Sequence, residues 1–305
     1  MEFSRRMYRM VTQQLLNEVN QVVRGKEDVT KKVLMAILAG GHILLEDLPG
    51  VGKTTMALAF SKAMGISFNR IQFTPDVTAS DIVGFNYFDK GLNRFVYHKG
   101  AIMANFVLGD EINRTSSRTQ SALLEAMEEG NVTVDGVTYE LPQPFIVMAT
   151  QNPLGSVGTQ PLPQAQLDRF MIKISMGYPD FESQVALLKD RQTAQPLNKV
   201  QQIVDEKQLL ALKQQVQNIH IDDELLVYIT NLTIATREHA QISQGISPRG
   251  ALAVCQMAKS HAFLEQRTFV TPEDILAICK DTCLHRLVIH QGSQSANDLL
   301  EEIVH

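Results

Sequence analysis

Val29, Val33, Ala36 and Ile37 recur at three- and four-residue intervals and run into Gly40-Gly41. That spacing predicts a helix with one buried stripe and a glycine end. The next segment, HILLE (42–46), is a short apolar run and reads as a buried strand. A glycine-rich turn follows, and Thr54 to Met64 forms the next helical pattern. Four more apolar runs alternate with helical patterns: SFNRIQF (67–73), ANFVLGD (104–110), FIVMATQ (145–151) and FMIKISM (170–176). Strands alternating with helices predict an α/β core, a mainly parallel sheet sandwiched by helices.

Two stretches break this rhythm. GFNYFDKGLNRFVYHKG (84–100) and GNVTVDGVTYELP (130–142) alternate around the turn signals Asp-Lys-Gly and Asp-Gly, so both read as β-hairpin inserts. From Tyr178 the character becomes helical, with patterns starting near Asp180, Asp205, Asp222 and Pro248 and a fifth at TPED (271–274). Thr271 is the expected N-cap there, with Pro272 first in the helix and Asp274 at its third position. The expected division is an α/β core over 1–178, with N-terminal helices, and an all-α domain over 179–305. QTAQPLNKV (192–200) is the expected linker.

Composition narrows the function classes. The chain has 305 residues, 44% of them apolar and 20% charged, and a net charge of -5. This is enough for a sizeable core, and no basic stripe of the kind that tracks duplex nucleic acid is visible. The three cysteines, Cys255, Cys279 and Cys283, suggest free thiols in a reducing compartment. Cys279 and Cys283 with His285 and His290 could be drawn as a metal cluster, but their helical, apolar setting favours core packing. The N-terminal segment has no apolar core of a signal peptide, and the longest apolar stretch, Val33 to Leu45, is interrupted by Gly40, Gly41 and His42. The expected location is the cytoplasm.

LLEDLPGVGKTT (44–55) nearly fits the phosphate-binding pattern G-x-x-x-x-G-K-[ST], except that Asp47 stands at the first glycine. Pro49, Gly50, Val51, Gly52, Lys53, Thr54 and Thr55 form the loop between strand and helix. Its backbone N–H groups are expected to curl around the β- and γ-phosphates of ATP at a helix N-terminus. Lys53 would supply a fixed positive charge, and Thr54 would ligate Mg2+. A carboxylate in that pocket would repel the ligand by about 4 kcal/mol at about 4 Å, for an effective dielectric near about 20. The expectation is therefore that Asp47 turns its carboxylate away from the phosphates.

The strand NFVLGDE (105–111) ends in two acids. Asp110 would bind Mg2+ through water, and Glu111 would polarise the attacking water. Asn152, at the tip of the next strand, is placed to bond the γ-phosphate or that water; a loop asparagine before proline is the alternative. Arg169, in QLDRF (166–170), follows a short helix. It would reach a phosphate of an adjacent subunit, unless it only pairs with Asp168. Arg249 begins the helix of GISPRGALAV (245–254), after Ser247 as N-cap. A cation there opposes the helix dipole, so an anion is expected beside it. The γ-phosphate is the candidate, and a surface arginine is the alternative.

With those segments in this order, the chain resembles the MoxR family of AAA+ ATPases over nearly its whole length. GHILLEDLPGVGKT looks like the family's Walker A loop, GDEINR its Walker B stretch, MATQNP sensor 1, LPQAQLDRF the arginine-finger segment and GISPRGALAV sensor 2. TQSALLEAMEEG resembles the helix after Walker B, the hairpins its helix-2 and pre-sensor-1 inserts, and VVRGKEDV (22–29), with Gly25, the segment lining the adenine pocket. INRTSSRTQ departs from the family, which commonly has a Pro-containing, Lys-bearing stretch there; aspartate at position 47 occurs in the family beside glycine.

The resemblance implies a P-loop AAA+ core with a C-terminal all-α lid. It further implies Mg2+-dependent ATP hydrolysis by a ring, commonly a hexamer, that remodels or activates protein clients. A von Willebrand factor A-domain partner and roles in complex maturation or metal-cofactor insertion are typical. Two other readings remain. A nucleic-acid motor would use the hairpins, yet the first offers only Lys90, Arg94, His98 and Lys99, and the second has two acids and no basic residue. A non-hydrolysing nucleotide-binding scaffold sits poorly with Glu111, Asn152, Arg169 and Arg249 all present.

Overall fold

The computed structural model describes residues 2–48, 50–152, 161–193 and 196–304. Helices α1 (Glu2–Val22) and α2 (Glu27–Ala39) come first, and α2 ends at Gly40 with φ of +85°, a left-handed cap that glycine adopts without strain. The core continues through β1 (Ile43–Glu46), α3 (Lys53–Ala63), β2 (Phe68–Gln72) and α4 (Ala79–Val83). Next come the hairpin β3 (Gly84–Asp89)–β4 (Arg94–Lys99), β5 (Phe106–Asp110) and α5 (Ser117–Glu129). The hairpin β6 (Asn131–Val134)–β7 (Val137–Glu140), β8 (Ile146–Gln151), α6 (Gln164–Leu167) and β9 (Ile172–Ile174) complete it.

The five predicted core strands form one parallel sheet in the order β2-β5-β8-β1-β9. Side chains alternate between its two faces, and along the central strands β1, β5 and β8 both faces are buried, which is why these strands read as near-continuous apolar runs. Ile43, Leu45, Phe106, Leu108, Ile146 and Met148 point into a cluster with α1 to α3. Leu44, Val107, Val147 and Ala149 point the other way, onto Leu123, Leu124 and Phe170.

Both hairpins form as predicted. Asp135 (φ 50°) and Gly136 (φ 79°) are both left-handed, the conformation a two-residue hairpin turn requires. The hairpins touch each other: the rings of Tyr97 and Tyr139 stack 3.9 Å apart, and Asn86 donates to Asp135 at 2.9 Å.

After the sheet come α7 (Phe181–Thr193), α8 (Glu206–Gln217), α9 (Asp223–Glu238), α10 (Pro248–Leu264), α11 (Pro272–Cys283) and α12 (Ala296–Val304). Ser247 and Thr271 are N-caps, as the sequence predicts, and Asp205 and Asp222, near which it places helix starts, cap theirs as well. Two features go beyond that prediction. α12 is an additional helix, and an antiparallel ribbon of β10 (Ile242–Gln244) and β11 (Val288–Ile289) sits within the helical part, which is therefore not wholly α. These strands are three and two residues long, too short for alternation to register.

In the linker, residues 196–199 form a short 3-10 helix and 194–195 lie outside the described residues. This segment packs on α3: Lys62 donates to the Leu197 carbonyl at 3.0 Å, and Ile203 N–H to that of Ala63 at 2.8 Å. The apolar cluster beneath the sheet runs on into α8, α9, α10 and α11, joining both parts of the chain. Cys279 and Cys283 are buried in it with sulfurs 3.7 Å apart, and Cys255 packs at its edge. Among the described residues no helix is long and apolar enough to cross a membrane.

Candidate nucleotide site

The loop after β1 has the backbone its sequence calls for. Gly50 and Gly52 take φ of +89° and +103°, and α3 begins at Lys53. Gly52 is the N-cap and offers no side-chain acceptor, so the first N–H groups of α3 are left for an anion. Pro49 lies outside the described residues. Beside the loop a cavity of about 680 Å³ is lined by Gly50, Val51, Gly52 and Thr55, by Val23 and Lys26, and by Tyr178. Thr54 is half-buried on the first turn of α3.

Gly25 belongs to the segment expected to line the adenine pocket. It is not among the residues lining this cavity. Its φ is +66°, and a Cβ there would stand 2.1 Å from the Ser183 hydroxyl, so glycine serves the close approach of α7. Its neighbours Val22, Val23, Arg24 and Lys26 do line the cavity.

Lys53 is buried, with Nζ donating to the carbonyls of Asp47 (2.8 Å) and Leu48 (3.3 Å). Burial pulls its pKa below the usual lysine value, against the charges of Asp47, Asp110 and Glu111. The Asp47 carboxylate faces the segment after β9. It accepts from Ser175 Oγ (2.7 Å), Met176 N–H (2.6 Å) and Gly177 N–H (3.0 Å).

Asp110 and Glu111 lie at the carboxyl end of β5, beside that of β8 with Asn152, and β8 adjoins β1 with its loop. The carboxyl ends of neighbouring parallel strands are where ligands bind in open α/β sheets. Asp110 accepts from Arg70 Nε at 2.7 Å and from the Thr150 hydroxyl at 3.3 Å. Glu111 is left-handed, with φ of 57°, and its N–H donates to Thr150 Oγ1 at 2.9 Å. Its carboxylate accepts from Arg114 (2.7 Å), Asn152 Nδ2 (3.2 Å) and Gln72 Nε2 (3.3 Å). Burial pushes the Glu111 carboxyl up, but the Arg114 and Asn152 hydrogen bonds and the Arg114 and Lys53 charges outweigh it. The net result is a pKa below the usual glutamate value. The hard oxygen donors Thr54 and Asp110 suit Mg2+, which keeps several waters and takes few protein ligands. With both its oxygens engaged, Asp110 fits such an ion through water.

Arg169 and Arg249 lie elsewhere. Arg169 precedes β9, whose first residue, Ile172, pairs with Ile43 at the start of β1. It therefore sits at the amino ends of the strands, whereas the glycine loop leaves their carboxyl ends. The four-residue strand β1 alone spans about 13 Å. Both arginines bind one carboxylate, Glu128 near the end of α5: Arg169 at 3.1 Å, and Arg249 through the other oxygen. The anion expected beside Arg249 is thus Glu128. Asp168 does not pair with Arg169; it accepts from Arg286 Nε (2.8 Å) and Ser247 Oγ (2.7 Å).

Sequence reading did not single out Arg70, Gln72, Arg114, Thr150 or Glu128. Arg70 and Gln72 carry a signal, since they sit two apart on one side of β2, the strand next to β5. Glu128 and Arg114 carry none, because their partners are fixed only by tertiary packing.

Two family models match the chain: an AAA family of ATPases associated with various cellular activities over residues 42–172, and an AAA lid domain over 234–303. The Bacillus subtilis protein YeaC is 45% identical over 95% of this chain and 90% of its own length. The Mycobacterium tuberculosis chaperone MoxR1 is 38% identical over 94% of this chain and 78% of its own. The chain belongs to the MoxR family of AAA+ ATPases. A solved structure from Cytophaga hutchinsonii superposes with a TM-score of 0.92 at 37% identity, covering 99% of this chain and 96% of that one. The MoxR architecture accounts for the parallel sheet with a helical lid after it, and places the glycine loop, acidic strand end and Asn152 in a nucleotide-binding fold.

Proposed function

We propose that this MoxR protein hydrolyses ATP with Mg2+ in a homo-oligomeric ring, expected to be a hexamer, and uses the cycle to remodel or activate protein clients. The observation that carries the reading is the division of the machinery between the two ends of the sheet. Loop, acids and Asn152 converge at the carboxyl ends, while Arg169 and Arg249 lie together at the amino ends. One chain then supplies the cradle, and a second copy supplies two guanidiniums to it.

In this reading the N–H groups of Gly50 to Thr54 and the Lys53 ammonium hold the β- and γ-phosphates. Mg2+, held by Thr54 and by Asp110 through water, would neutralise charge on the phosphate oxygens. Glu111 accepts the proton of the attacking water, and Asn152 orients both. Arg169 and Arg249 act in trans, where a finger is worth about 10³- to 10⁵-fold in rate. The named function of MoxR1 as a chaperone supports protein clients; a von Willebrand factor A-domain partner and a cytoplasmic site of action belong to the same proposal.

The test is Glu111→Gln, with ATP binding and turnover measured side by side. Retained binding with turnover lost by at least about 100-fold is expected. Equal turnover in both proteins would reject the role of Glu111.

A further inference from the structure

Three arginines and two carboxylates gather where the lid meets the core: Arg169, Arg249, Arg286, Asp168 and Glu128. Arg286 is 2% exposed and saturated, donating to Asp168 and to the carbonyls of Phe170, Met171 and Thr282. Arg169 and Arg249 differ. They are 28% and 43% exposed, and each binds Glu128 through one terminal nitrogen. A guanidinium has five N–H donors, so most of theirs remain for another acceptor.

The backbones carrying these two arginines are fixed to each other from behind. Asp168, next to Arg169, accepts from Ser247, which also caps α10 through Gly250 N–H at 3.0 Å. Arg249 stands in the first turn of that helix, where the dipole disfavours a cation and adds to the pull for an anion. Each oxygen of Glu128 faces one guanidinium. Two oxygens of a terminal phosphoryl group have nearly the same separation, with more charge and a third acceptor. Glu128 itself is 36% exposed at the end of a helix, so its hold is weak and screened by solvent.

We propose that Glu128 is a placeholder: it occupies the Arg169–Arg249 pair in a free subunit and gives way to the terminal phosphate of a triphosphate on a neighbouring copy. The inference rests on the trans arrangement above and makes Glu128 a positioning residue that competes with the ligand. Its removal therefore strengthens phosphate binding at the pair, whereas a merely structural residue would weaken it or leave it unchanged.

The test uses the full chain carrying Lys53→Ala, which disables the subunit's own cradle, titrated calorimetrically with inorganic tripolyphosphate. Adding Glu128→Gln is expected to tighten binding about tenfold, and Glu128→Ala to do likewise, because a competing charge is lost. Adding Arg169→Ala should abolish the gain. Unchanged affinity in folded Glu128→Gln and Glu128→Ala proteins would overturn the proposal, as would a gain that survives Arg169→Ala. The readout needs no turnover, so a failed Glu111→Gln test and a failed placeholder remain distinguishable.

Discussion

Met176 donates its backbone N–H to the Asp47 carboxylate at 2.6 Å, tying the nucleotide loop to the segment that leads from the sheet into the lid. The acid at the first glycine position of the loop thus binds protein, with Ser175 and Gly177 as further donors. Asp47→Gly is expected to leave ATP affinity within about threefold. It removes a charged acceptor from three donors, so stability should fall by about 2–4 kcal/mol. Denaturant unfolding and nucleotide titration of the same variant check both halves. A large loss of affinity in a fully stable protein would contradict this account of the loop.

Arg114 holds Glu111 at 2.7 Å and contributes to keeping its carboxyl below the usual glutamate range. A base with a depressed pKa stays ionised as pH falls, until the depressed value is reached. Arg114→Ala removes a hydrogen bond and a positive charge, so the Glu111 pKa should rise and the acid limb of the kcat profile should move to higher pH. An acid limb unmoved by Arg114→Ala would mean that another group sets it.

His42 is buried between α5 and β8, with Nε2 to the Met127 carbonyl (3.1 Å) and Nδ1 accepting Val147 N–H (3.0 Å). Burial pushes its pKa down to about 4, the Met127 contact opposing and the Lys213 charge assisting. The unfolded chain therefore binds this proton first as pH falls. The contribution is complete above about pH 6.5 and is lost between there and about pH 4, amounting to about 3 kcal/mol. Buried His285, also depressed by burial, acts in the same direction. Unfolding free energies measured across this window should fall with acid, and more steeply in wild type than in His42→Gln. Identical slopes would contradict the assignment.

Arg286→Met removes the partner of Asp168 while keeping bulk at a buried position. It leaves a carboxylate with only the Ser247 hydroxyl, and breaking a buried pair in this way destabilises by about 3–5 kcal/mol. The double change Asp168→Asn with Arg286→Met should recover part of that loss in thermal or denaturant unfolding. Additive losses would show that the pair is not coupled.

The parallel core was legible because its central strands are short apolar runs buried on both faces, and the lid helices because Asp205, Asp222, Ser247 and Thr271 mark their starts. The glycine loop, Asp110, Glu111 and Asn152 were legible because they sit at strand ends, where chain order gives position. Residues meeting across elements were not. Glu128 is the next-to-last residue of a charged helix end like many others, and nothing local says that Arg169 and Arg249 share it. Gly25 adds a packing role that its segment does not announce: its backbone serves the approach of Ser183. The β10–β11 ribbon escaped because its pairing joins residues more than 40 positions apart through strands too short to have a period.

The central claim is that one subunit's loop and acids work with the arginines of another, and mixing two inactive variants tests it most directly. Lys53→Ala lacks the cradle charge and Arg169→Ala lacks the finger, so each alone should hydrolyse ATP at least about 100-fold more slowly than wild type. Mixed subunits can pair an intact cradle with an intact finger. ATPase activity should therefore reappear at intermediate ratios and peak near equal amounts. No recovery at any ratio, with mixed assembly confirmed by light scattering, would contradict the account.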